Sequence, residues 1–81
     1  MKNSNLSIAE VKNAINTFRS IFGDQKALVK CAVITKRYFE QSKISSISAN
    51  DLSQMLDIEK EYAFQVLLKL NSDYFKNKQG A

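Results

Sequence analysis

From Ile8 onward the apolar residues Val11, Ile15, Phe18 and Phe22 follow at alternating spacings of three and four. That is the repeat of one face of an α-helix, and it predicts a helix over residues 8–22. Ser7 and Glu10 have the form of a capping box at its start, and Gly23 can take the left-handed conformation that ends it. Residues 1–7 are polar and predicted to fray. Asp24 is placed to cap a second helix with an inner stripe of Leu28, Cys31, Ala32, Thr35, Tyr38 and Phe39. Val29, Val33 and Ile34 flank that stripe, as in a central helix packed on several sides, ending near Gln41 and Ser42. The serine-rich connector 43–48 suits extended chain or a very short strand. Ser48 caps a short third helix with Leu52, Met55 and Leu56 inward; Asp57 and Ile58 make a turn. A fourth helix then runs from Glu59 to about Asn71 with Ala63, Val66, Leu67 and Leu70 inward. Tyr74 and Phe75 could begin a β-hairpin without a return strand.

The predicted fold is therefore all-α, or α with a minimal β-wing: four helices in a single domain spanning 1–81. Its core is residues 24–81, with 8–22 an added N-terminal helix. Eighty-one residues leave no room for a second core. The chain has no histidine and a single cysteine, which removes His-based acid–base catalysis, an intramolecular disulfide and a sensible zinc site. No glycine-rich phosphate loop occurs either, so the expectation is no enzyme, no metal and no cofactor. No run approaches a membrane span and the first residues lack the apolar stretch of a signal peptide, so no membrane partner and a cytoplasmic location are expected. Twelve Lys and Arg against eight Asp and Glu give a formal charge of +4, a lean towards a polyanionic partner.

The segment Ser48 to Leu70, SANDLSQMLDIEKEYAFQVLLKL, carries the most information. Leu52 opens its apolar set, and Ser53 is small where two helices would approach. Asp57 occupies a turn position usually held by glycine, Ile58 plugs the gap, and Ala63, Leu67 and Leu70 form the inner face of the second helix. This pattern resembles the helix-turn-helix of bacterial winged-helix transcriptional regulators. The resemblance implies that the fourth helix is the recognition helix, presenting Lys60, Glu61, Phe64, Gln65, Leu68 and Lys69 outward. Glu59 and Glu61 stand at its start with a sign unfavourable to phosphate, though a Glu can accept from cytosine.

Two functions fit. In the first, the chain is a DNA-binding transcriptional regulator: Lys60, Gln65 and Lys69 contact double-stranded DNA in the major groove. Lys76 and Lys78 in the tail, with Lys36, Arg37 and Lys43, reach phosphates. In the second, the same fold binds another regulator or a replication or transcription protein through Tyr62, Phe64 and Leu68 and leaves DNA alone. Phe64 and Leu68 are either covered by helix one or exposed to such a partner. The Phe18 and Phe22 stripe is either core or a homodimer contact that places two recognition helices on successive half-sites. Arg19 and Lys12 are expected on the surface, and Cys31 in the core.

Overall fold

The computed structural model describes residues 5–70 of the chain. Four helices follow one another: α1, Ile8–Phe22; α2, Asp24–Ser42; α3, Ala49–Leu56; and α4, Lys60–Leu70. Among the described residues there is no strand, and Ile47 is a single bridge position in the connector. The predicted hairpin at Tyr74 and Phe75, the end of the fourth helix at Asn71, and Lys76 and Lys78 lie outside the described residues.

Packing is organised around α2 and α4. The backbone of α1 lies along α2, α4 lies against both α2 and α3, and α1 meets α3 only lightly. The apolar period explains this arrangement. Val11 and Ile15 of α1, Leu28, Cys31 and Phe39 of α2, Leu52 and Leu56 of α3, and Ala63, Val66 and Leu67 of α4 are buried in one core. Burying such side chains contributes roughly 1.5–3 kcal/mol each, and this offsets the conformational entropy lost by so short a chain. Thr35 is buried within that core, and its Oγ1 finds no hydrogen-bond partner among the described residues. Tyr38 and Phe18 are only half-buried, and Phe22 is exposed, so the α1 stripe leaves the core before the helix ends.

The helix ends show how the chain turns without proline. At α1 the Ser7 hydroxyl accepts from the Glu10 amide and the Glu10 carboxylate accepts from the Ser7 amide, the predicted capping box. The residues before it are not all frayed, contrary to the sequence expectation. The Gln41 side-chain amide accepts from the Leu6 N–H and donates to the Leu6 carbonyl, which fixes Leu6 against the core at the end of α2. Gly23 closes α1 and opens α2 at once: its N–H donates to Arg19 and its carbonyl accepts from Ala27. Its φ of 85° and ψ of 158° place it outside the left-handed helical region, in a conformation essentially reserved for glycine. Asp24 therefore does not cap α2; it is the first residue of that helix, and Gly23 is the N-cap.

Helices α2 and α3 end by one device used twice. Lys43 and Asp57 both adopt the left-handed conformation, at φ 59° and φ 56°. The following isoleucine then sends its N–H back five residues, Ile44 to Phe39 and Ile58 to Ser53. This is the 6→1 closure of a Schellman turn, with each isoleucine packed on the core beneath it. Ser48 caps α3 through the Asp51 amide, as its position in the sequence predicts. No atom lies within 4 Å of a Cβ placed on Gly23, so the penalty of a side chain there is conformational, not steric. Gly23→Ala should lower unfolding stability by about 1–3 kcal/mol in urea titration; an unchanged midpoint would show that the α1–α2 corner relaxes freely.

Candidate nucleic-acid interface

Arg19 assembles the end of the molecule at which α1, α2 and α4 meet. Its guanidinium donates through Nε to Asp24 Oδ1 at 2.9 Å and through a terminal nitrogen to Asp24 Oδ2 at 3.2 Å. Another nitrogen reaches Glu59, just before α4, at 3.0 Å. The guanidinium carbon lies 4.0 Å above the centre of the Tyr62 ring. The Tyr62 hydroxyl donates to the Asp24 carbonyl at 2.8 Å and lies 3.7 Å from the Cys31 sulfur. The backbones of α1 and α4 do not approach one another, and these side chains bridge the gap beside the core that both helices share.

The electrostatics follow from the contacts. The hydrogen bonds to Asp24 above all, joined by the bond to Glu59, make Arg19 hold its proton more tightly than an ordinary arginine, against an opposing effect of burial that ranks between the two. Both carboxyls are pulled below the usual carboxylate range, chiefly by the bonds from Arg19. Burial first, and the neighbouring Cys31 second, push the Tyr62 phenol up. Burial likewise raises the Cys31 thiol, which is fully enclosed and so acts as a small core residue, not a nucleophile poised as thiolate.

Two expectations are corrected here. Arg19 is half-buried and not the freely exposed residue expected, since only 17% of its side chain is accessible. Tyr62 is not available as a protein-contact residue, because packing against Arg19 and α2 buries it. Phe64 and Leu68 are 40% and 56% exposed, so α1 does not cover them. The α4 surface they share divides in two. Lys60, Glu61, Phe64 and Gln65 line a hollow with Ala49 at the start of α3. Gln65, Leu68 and Lys69 line a groove against Gln25 and Lys26 of α2. There the Gln25 side-chain amide donates to Gln65 at 3.5 Å.

The remaining basic candidates separate. Lys36 joins Lys69 across the α2–α4 groove, whereas Arg37, one residue on, lines the opposite groove with Phe18 of α1. Lys43 is the left-handed residue that closes α2. Phe18 is half-buried against the core, and the Lys30 ammonium sits 5.1 Å from the centre of the Phe22 ring. Sequence reasoning missed Lys26 and Lys30. Their signal was available in the spacing, since Lys26, Val29, Lys30, Val33, Lys36 and Arg37 fall on one side of a helix.

No protein-family model, curated protein or solved structure matches this chain. Among the described residues, no cluster of His, Cys, Asp or Glu could hold a metal ion, and no helix is long and apolar enough to cross a membrane.

Arg19→Ala should cost about 1–2 kcal/mol at neutral pH through the lost ring contact and packing of its stem. The carboxylate part of its contribution depends on pH. Asp24 and Glu59 are depressed in the folded state, so that part is complete above their unfolded values near 4 and is lost as pH falls through the folded values. The gap in thermal midpoint between wild type and variant should accordingly narrow in acid. An equal gap at pH 7 and in strong acid would show that the ion pairs contribute nothing.

Proposed function

We propose that this chain is a small DNA-binding regulator whose α3 and α4 act as a helix-turn-helix, with α4 entering the major groove of duplex DNA. The observation that carries the reading is that α4 is buried along one side only. Its opposite side presents Lys60, Gln65 and Lys69 and opens beside Lys26 and Lys36 of α2. The short turn supports the same reading. Asp57 takes the left-handed conformation where glycine is usual, Ile58 packs against the core, and Leu52, Leu56, Ala63 and Leu67 are all buried in that core. Ser53 is buried at the approach of α3 and α4, with its hydroxyl donating to the Asn50 carbonyl.

Charge is the main objection to a groove-reading α4, and part of it is met inside the fold. Glu59 lies at the helix start, yet Arg19 pairs with it and offsets its sign. Glu61 remains exposed, where it can accept from a cytosine amino group. Lys60 and Lys69 supply phosphate contacts, Lys36 adds to them from α2, and Gln65 offers an amide that can read adenine. The fold and these roles require no cofactor and no catalysis.

Fluorescence anisotropy with duplex DNA at graded salt tests the reading. Log affinity should fall linearly with log salt, with a slope of roughly −0.9 per phosphate contact. Lys60→Ala with Lys69→Ala should weaken binding to all sequences alike and reduce the slope by about 1 for each lysine that touches phosphate. No binding at low salt, or binding indifferent to both lysines, would sink it.

The exposure of Phe64 and Leu68 favours a second reading, a protein-interaction module of the same fold. The two separate cleanly. Because neither side chain belongs to the buried core, Phe64→Ala with Leu68→Ala should leave the chain folded, at a cost of about 1–2 kcal/mol from the covered part of the Phe64 ring. If the folded variant keeps its full DNA affinity and salt slope, the α4 face is not the groove-reading surface; the interaction module gains only where the wild-type chain binds no duplex even at low salt. If affinity falls by about tenfold or more, that face lies on DNA.

A further inference from the structure

The outward side of α2 forms an apolar ridge inside a basic margin. Val29 and Val33, one turn apart, are 57% and 56% exposed. On one side of them runs a groove of about 390 Å³ lined by Phe18, Lys30, Ile34 and Arg37 as well as the two valines. On the other side the α2–α4 grooves place Lys26, Lys36, Leu68 and Lys69 against the same ridge. Not one carboxylate lines these three grooves.

From this we infer that the α2 ridge docks an acidic amphipathic helix of a partner protein. The partner's apolar stripe lies on Val29, Val33 and Phe18, and its carboxylates meet Lys30 and Arg37. The spacing fits a helix, because ridge and flanking cations repeat every three or four residues along about three turns of α2, the interval of an amphipathic helix. Charge selects the occupant. A second copy laid across this ridge would bring Lys30 and Arg37 against the same cations, a like-charge juxtaposition that disfavours self-association. Residues 71–81 of the chain carry Lys76 and Lys78 against Asp73, so they too have the wrong net sign. Duplex DNA satisfies the lysines but offers its phosphates nothing to set against two exposed valines. The surface shares an edge with the face proposed for DNA at Lys26, Lys36, Leu68 and Lys69, while Phe18, Lys30, Ile34 and Arg37 lie on the far side of the ridge.

The test uses the full chain and a fluorescein-labelled synthetic helix about four turns long, with leucines at helical spacing and glutamates elsewhere. Two comparison peptides accompany it: an isomer with the leucines dispersed, and a version with lysine in place of glutamate. The acidic amphipathic peptide should bind at least about tenfold tighter than either. It should also shift the methyl resonances of Val29 and Val33. Val29→Ser with Val33→Ser should remove that preference while circular dichroism stays unchanged, since neither residue is core. Lys30→Glu with Arg37→Glu should turn the preference towards the lysine peptide. Equal binding of the isomer, methyl shifts confined to other faces, or serine variants that bind as wild type would overturn the inference. So would saturation of the same methyls by duplex DNA or by phosphatidylserine vesicles, or dimerisation in sedimentation that those variants abolish. Failure of the peptide with DNA binding intact leaves the α4 reading standing, and the reverse result separates them equally.

Discussion

One guanidinium straps together a corner of the helix packing that the shared core leaves open. Two helices that never bring their backbones together, α1 and α4, are connected by Arg19 lying on the face of Tyr62 while its nitrogens hold Asp24 and Glu59. Exposed ion pairs contribute little, because water screens them and two long side chains must be ordered. This cation differs in having most of its side chain covered and a ring beneath it. Its planar fork satisfies Asp24 by two parallel bonds, a geometry that lysine cannot reproduce. Tyr62 closes the assembly from below by donating to the Asp24 carbonyl, so one aspartate residue is gripped through both side chain and backbone.

That grip sits beside Gly23, and the two act on the same corner. A glycine at positive φ lets the chain reverse between α1 and α2 at no steric cost but leaves the corner with no side chain of its own to hold it. Arg19 lies one turn before the glycine and Asp24 immediately after it, so their ion pair spans the bend. The other two corners need no such strap. At Lys43–Ile44 and Asp57–Ile58 a backbone hydrogen bond and a half-buried isoleucine packed on the core fix the chain direction, and a non-glycine residue accepts the left-handed conformation. Asp is among the residues that tolerate that region well; for Lys43 the surrounding closure has to supply the difference.

How legible this was in the sequence varies with the range of the interaction. Local rules read the helices to within a residue or two: the stripe of α1, the Ser7 capping box, the Ser48 cap and the break at Asp57–Ile58 all depend on neighbours three or four positions away. Burial along α2 was harder. Periodicity states which sides of a helix are apolar, not how many neighbours will arrive to cover them. Val29 and Val33 look like core in sequence and stand open because α1 and α4 pack to either side of them. Arg19 and Tyr62 were misjudged for a related reason. Their partners lie on other helices, Glu59 forty positions from Arg19 and Asp24 thirty-eight from Tyr62, and no pattern within one helix encodes them. The α4 candidates fared differently, since Gln65 and Lys69 reach one groove while Lys36 and Arg37 part to opposite sides of α2.

The same charge placement that stabilises the helices leaves a basic surface behind. Each of the four helices carries an acidic residue in its first turn, Glu10, Asp24, Asp51 and Glu61, where a carboxylate complements the positive end of the helix dipole. Glu10 is further engaged by the Ser7 amide, and Asp24 and Glu59 by Arg19. Much of the chain's negative charge is thereby used at helix starts, and past Asp24 and Glu61 the helices α2 and α4 carry Lys26, Lys30, Lys36, Arg37 and Lys69 against the single carboxylate Glu40. A net charge of +4 spread evenly would be an aid to solubility and little more. Sorted in this way, it gathers cations along the Val29–Val33 side of α2 and at Lys69 of α4, away from Glu40 and Glu61, and such a grouping attracts an anionic partner before any contact is made.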